Sequence, residues 1–149
     1  MSEMLGNQYF LTRKYALAAR ELESALVKDP RSKVIRRKLI ICFIQTGNID
    51  KAEELFLDLV QQDVSFIIES DPIIDDCPCP ELVNDVEAQI AGEKNSPSYM
   101  LKLGMLWLYC DIRKSIHYFT SLQKIEPNNQ MVKIVLFHLK SFLLSKEVL

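Results

Sequence analysis

The stretch "DDCPCPEL", residues 75–82, holds the residues of this sequence that come nearest to chemistry. Cys77 and Cys79 stand one residue apart, each followed by a proline, with Asp75 and Asp76 just upstream. Thiols at such spacing raise two chemistries, metal binding and redox exchange. A zinc site needs four ligands, commonly two Cys-x2-Cys pairs or histidines close by. Here there is one Cys-x-Cys, and His117 and His138 fall in other segments. A redox pair has Cys-x-x-Cys spacing beside a βαβ pattern, and neither occurs. Asp71, Asp75, Asp76 and Glu81 disfavour thiolates by repulsion, whereas a helix N-terminus favours them. The same residues also read as a helix start. Pro80 suits a first turn, where a missing N–H costs nothing, Glu81 complements the helix dipole, and Cys79 takes the cap. A linker is the simpler reading; Cys77 and Cys79 stay as metal or redox candidates.

The remaining reactive side chains are isolated. Cys42 and Cys110 lie in the apolar runs "LIICFI" and "LWLYC" and read as buried small hydrophobes. No Ser/His/Asp grouping, glycine-rich phosphate loop or partnered carboxylate pair is present. The expectation is a protein that is not an enzyme and needs no cofactor.

Composition narrows the class. The 149 residues are 48% hydrophobic and 26% charged, which suits one folded domain with a sizeable core. A net charge of -2 supplies no positive field for nucleic acid or anionic lipid. The start "MSEMLGNQYF" shows no secretory pattern. The longest apolar run, "MVKIVLFHLKSFLL", is broken by Lys133, His138 and Lys140, so no membrane insertion is expected. Four cysteines are then expected as reduced thiols, in the cytoplasm.

The elements that position these residues emerge from a repeat. Gly6, Tyr9, Ala18, Leu22, Ala25 and Pro30 recur 34 residues on as Ile40, Phe43, Ala52, Phe56, Leu59 and Val64. They recur again as Gly104, Trp107, Ser115, Phe119, Leu122 and Pro127, with one residue missing from the turn. In each set a small or apolar residue and an aromatic three on share a helical face. A short break follows ("TRKY", "QTGN", "YCDIR"), then a second amphipathic run ended by a terminator. Each unit is a helical hairpin that must stack on its neighbours to bury its apolar face.

The period and landmarks resemble the tetratricopeptide repeat family, and "LGNQYFLTRKYALAARELESALVKDP" carries nearly every signature position. The second unit departs at Ile40 and Val64, the third at Ser115. The resemblance implies an all-α, right-handed αα-superhelix of three to four helical hairpins plus a C-terminal capping helix. In a single domain 1–149, repeat 1 is expected at 1–32, repeat 2 at 33–64, a degenerate repeat at 65–96, repeat 3 at 97–128 and the cap at 129–149. In the degenerate repeat, "SFIIESDPII" reads as a broken first helix, and "ELVNDVEAQI" as a second helix with Leu82, Val83, Val86 and Ile90 on one face and Gly92 as its cap. In the last helix Val132, Val135, Leu136, Leu139, Phe142 and Leu143 form the closing face, while Ile134, Phe137 and Leu144 fall off it. Those three are either scattered exposed residues or an oligomer or partner contact.

"KVIRRKL" concentrates Lys33, Arg36, Arg37 and Lys38, not far from Arg31, and reads as a solvated face or as part of a groove for an acidic peptide. The family resemblance implies a concave groove lined by the first helix of each hairpin. It would show Asn7, Phe10 and Leu11, then Arg37, Ile41, Ile44 and Gln45, then Leu101, Met105, Leu108 and Tyr109. Some members grip a chaperone's C-terminal carboxylate there. Asn7 and Arg37 match that clamp, but Glu3 replaces a lysine and Ile41 an asparagine, which argues against the role. The expectation is a non-catalytic interaction module that docks a peptide or helix of another protein, with apolar burial giving affinity and rim charges such as Arg37 and Lys38 giving orientation. The alternatives are a homodimer or assembly chaperone built on the last helix, and a metal or redox protein using Cys77 and Cys79.

Overall fold

The computed structural model describes residues 2–71, 80–89, 92 and 96–148. All regular structure among them is helical: α1 (Ser2–Leu11), α2 (Tyr15–Lys28), α3 (Lys33–Gln45), α4 (Ile49–Ile68), α5 (Glu81–Gln89), α6 (Pro97–Trp107), α7 (Ile112–Ile125) and α8 (Gln130–Val148). Cys77, Cys79 and Ile90 lie outside the described residues. The chain divides into two compact units, Met1–Leu59 and Val60–Leu149.

In the first unit α1 packs on α2, and α2 on α3. The close approach comes from Gly6, where a Cβ would stand 2.8 Å from Leu22 Cγ and Cδ2. The buried stripe of α2, Ala18, Leu22 and Ala25, follows the i, i+4, i+7 spacing of one helical face. Its counterpart in α4, Ala52, Phe56 and Leu59, is fully buried as well.

The two turns of this unit share one hydrogen-bond pattern. Lys14 N–H bonds Tyr9 O at 2.8 Å and Arg13 N–H bonds Phe10 O at 3.0 Å; Asn48 N–H bonds Phe43 O at 2.8 Å and Gly47 N–H bonds Ile44 O at 3.3 Å. These are Schellman closures, which place one residue in the left-handed region. That residue is Gly47 (φ 82°) in one turn and Arg13 (φ 60°) in the other. Thr12 and Thr46 hydroxyls reinforce both turns by donating to carbonyls of the preceding helical turn.

α4 is broken within its span. Asp63 adopts an extended backbone (φ −164°, ψ 81°) between two helical stretches. The sequence period placed the terminator of this repeat at Val64, one residue on. Asp29, after α2, and Glu126, after α7, occupy the matching positions with φ/ψ of −138°/75° and −124°/71°. The repeat therefore ends on the same extended acidic residue three times, with proline behind it in two cases and valine in the third.

In the second unit α5 packs on α6, α6 on α7 and α7 on α8. Leu82, Val83 and Val86 of α5 are buried, as its periodicity predicts. Its first helical residue is Glu81, and Pro80 O accepts from Asn84 N–H at 3.0 Å, so Pro80 caps the helix one position ahead of the expected first turn. Ser96, Asp111 and Asn129 cap α6, α7 and α8 by accepting from backbone N–H groups. At the α6/α7 crossing a Cβ on Gly104 would stand 2.9 Å from the Phe119 ring. Ser115, fully buried beside it, donates its hydroxyl to Gly104 O at 2.6 Å. That bond satisfies the polar atom which distinguishes serine from the alanines at positions 18 and 52.

Candidate functional site

The first helices of the hairpins carry the residues expected to line a groove, and the structure sorts them by accessibility. Phe10, Arg37, Ile41, Ile44, Met105, Leu108 and Tyr109 are buried. Asn7, Gln45 and Leu101 are half-buried, and Leu11 is 59% exposed. The accessible part is thus much smaller than the set that periodicity selects. Helical spacing shows which residues share a face, but not how deeply neighbouring elements cover it.

The basic run corrects the sequence reading outright. Arg36, Arg37 and Lys38 are only 3%, 6% and 7% exposed, within an α3 that is buried continuously from Ile35 to Ile44. They form neither a solvated face nor a charged rim. Arg36 Nη1 bonds Asp58 Oδ2 at 2.6 Å, and its other nitrogens reach the carbonyls of Ser32 and Arg31. Lys38 Nζ donates to Asn7 Oδ1 at 3.0 Å and lies 5.6 Å from the centre of the Phe10 ring. Long cationic side chains bury their stems, and here the charged ends of Arg36 and Lys38 keep hydrogen-bond partners. Asn7, expected to face a ligand, instead accepts from Lys38.

Cys42 is free and buried, and burial pushes its thiol up to about 12, so it stays protonated and unreactive. Cys110 departs from the reduced, apolar reading: it is half-buried and disulfide-bonded. Among the described residues no three His, Cys, Asp or Glu side chains gather as metal ligands would. Among the same residues no helix is long and apolar enough to cross a membrane.

Among the described residues two further surfaces stand open. On α8 Phe137 is 66% and Leu144 62% exposed, seven residues apart on one side of the helix, with Ile134 half-buried beside them. In the second unit a cleft of about 580 Å³ opens between α5, α6 and α7, lined among others by Asn84, Glu87, Tyr99, Met100, Tyr118 and Ser121. Glu87 Oε2 accepts two hydrogen bonds there, from Trp107 Nε1 at 2.9 Å and from the Tyr118 hydroxyl at 2.6 Å. Burial, then the Glu87 carboxylate, then Tyr99 drive the Tyr118 phenol far above its ordinary range, which keeps its proton on the bond to Glu87. Tyr99 meets Tyr118 edge-on at 5.9 Å.

Sequence reasoning missed this cleft. Glu87 sits on the polar side of an ordinary amphipathic helix, and its partners lie 20 and 31 residues away. The only available signal was that Trp107 and Tyr118 carry polar hydrogens and need partners once packed.

These hairpins define a helical-repeat protein: α1/α2 and α6/α7 each cross at a glycine, present small and large apolar residues to that crossing, and end on an extended acidic residue before proline. The family model described as Tetratricopeptide repeat matches residues 9–66, so this stretch is similar to that family. No curated protein and no solved structure matches the chain at a significant level.

Proposed function

We propose that this protein is a non-catalytic protein-interaction module that docks a peptide or helix of another protein against the first helices of its hairpins. Tetratricopeptide repeats mediate protein–protein interactions, and the match over residues 9–66 is the observation that carries this reading. Leu11 supports it locally, as a large apolar side chain left 59% exposed at the end of α1, with Asn7 one turn before it. Docking there would gain affinity from apolar burial at Leu11 and direction from the amides of Asn7 and Gln45. The other members of the expected groove, Phe10, Arg37, Ile41, Ile44, Met105, Leu108 and Tyr109, are buried.

The experiment is quantitative capture of interacting proteins by the wild-type chain and by Leu11→Glu, read by mass spectrometry. Leu11→Glu should lose the specific partners and keep its melting temperature. An unchanged set of partners removes the surface from consideration.

A second reading has its own observation. Phe137 and Leu144 form an exposed apolar pair on α8, which suits a contact with another copy of this chain or with a partner helix. Light scattering separates the two readings. If the chain is an oligomer, Phe137→Glu should make it monomeric; a monomeric wild type ends the oligomer reading.

A further inference from the structure

We propose that the α5/α6/α7 cleft of the second unit binds an arginine side chain of a partner protein. The walls fit a flat cation better than other ligand classes. A carboxylate has acceptor capacity on both oxygens, and Trp107 and Tyr118 both bond Oε2 of Glu87. The Oε1 side of the same carboxylate remains to accept from a guanidinium. Asn84 and Ser121 on the lining add two more oxygens able to accept. Tyr99 and Tyr118 supply aromatic surface, against which a guanidinium stacks more favourably than an ammonium.

Charge points the same way. The described lining contains one carboxylate, one histidine (His117) and neither lysine nor arginine. α5, which forms one wall, carries Glu81, Asp85 and Glu87 and no basic residue. The ammonium of Lys114, 4.2 Å from the centre of the Trp107 ring, is not among the residues that line the cleft. An anionic or wholly apolar ligand would bury the Glu87 charge with only neutral donors and no counter-charge, which is costly. A guanidinium could engage the Oε1 side of Glu87 together with the oxygens of Asn84 and Ser121.

The inference rests on the reading of this protein as an interaction module, but it concerns a surface of the second unit, whereas Leu11 belongs to the first. Trp107 gives it a direct reporter, because it is the sole tryptophan of the chain and its indole N–H is bonded to Glu87. The probes are Nα-acetylarginine amide and its neutral isostere Nα-acetylcitrulline amide, titrated into the full chain while the indole N–H resonance is followed. The arginine compound should shift that resonance saturably, and the citrulline compound should bind at least about tenfold more weakly. Glu87→Gln keeps an oxygen for Trp107 and Tyr118 while removing the charge, and should lose the preference for arginine over citrulline. Asn84→Leu, at an exposed wall residue, should weaken arginine binding while leaving the bonds of Glu87 in place, and it decides the matter if Glu87→Gln does not fold. No saturable shift, equal binding of both compounds, or an unchanged arginine preference in a folded Glu87→Gln chain overturns the proposal. Arginine binding that persists in Leu11→Glu, with partner capture also unchanged, would sink the α1 surface and leave the cleft standing.

Discussion

The α1/α2 and α6/α7 hairpins are built on the same crossing and closed by different turns. Both crossings use a glycine whose missing side chain is occupied by a large apolar neighbour, Leu22 in one and Phe119 in the other. Both hairpins end on an acidic residue in extended conformation, whose N–H bonds back to Ala25 O or Leu122 O before proline stops the helix. Between these points they diverge. The first turn spends one residue, Arg13, in the left-handed region. The second sets Ser115 one residue nearer to Trp107 than Ala18 is to Tyr9, and closes with N–H bonds from Tyr109 to Leu106 O and from Cys110 and Asp111 to Trp107 O. Asp111 then caps α7 with its side chain, whereas Lys14 at the matching position makes no side-chain cap bond. The crossing tolerates little variation because helix backbones meet there. The turn tolerates several solutions because it needs only to reverse the chain and satisfy the last carbonyls.

The most severe way to break the comparison is Gly104→Ile, which installs in α6 the residue that the middle hairpin carries at position 40. The new side chain meets Phe119, a ring with no exposed surface and no room to retreat. The expected loss is about 3 kcal/mol, read by denaturant unfolding. A variant as stable as the wild type would show that the crossing does not depend on glycine.

Ser115→Ala makes the α6/α7 crossing chemically identical to that of α1/α2 at the small position. It removes the 2.6 Å bond to Gly104 O and should cost about 1 kcal/mol. A stabilised variant would mean that the serine is tolerated there and contributes nothing. Arg13→Gly makes the first turn match the "TGN" turn. It relieves a left-handed non-glycine residue, and a gain of about 0.5 kcal/mol is expected, small because glycine also loosens the unfolded chain. A lower melting temperature would instead assign the Arg13 side chain a stabilising contact.

The smallest expected effect is at the third repeat end. Val64→Pro restores the proline found after Asp29 and Glu126. Asp63 already holds an extended conformation compatible with a following proline, so a change within about 0.5 kcal/mol of zero is expected. Proline two residues earlier, at Gln62, falls before the break and should cost about 3 kcal/mol. Equal effects at the two positions would show that the break at Asp63 does not persist in solution.

Much of this architecture can be read from one dimension because it is set by local spacing. The 34-residue recurrence of Gly6, Ala18, Leu22 and Ala25, together with Pro30 and Pro127, suffices for hairpins, their boundaries and their buried faces. Even the break in α4 is signalled at Val64, though no proline marks it. In the expected degenerate repeat, 65–96, the described helices are the end of α4 and α5. These are questions of which side chains share a face, and 3.6 residues per turn answers them.

Accessibility and pairing were decided only by packing. Three consecutive basic residues in "IRRKL" look solvated in a sequence, yet all three are buried, with Asp58 pairing Arg36 and Asn7 accepting from Lys38 from other helices. Ile41 and Leu11 both belong to the expected groove, yet one is covered and the other open. Glu87 looks like an ordinary solvent-facing acid until Trp107 and Tyr118 close on it. In each case the deciding neighbour is remote along the chain, and periodicity carries no information about it. Helix formation follows from local order, whereas the charge and shape of a surface depend on which distant residues come to rest against it.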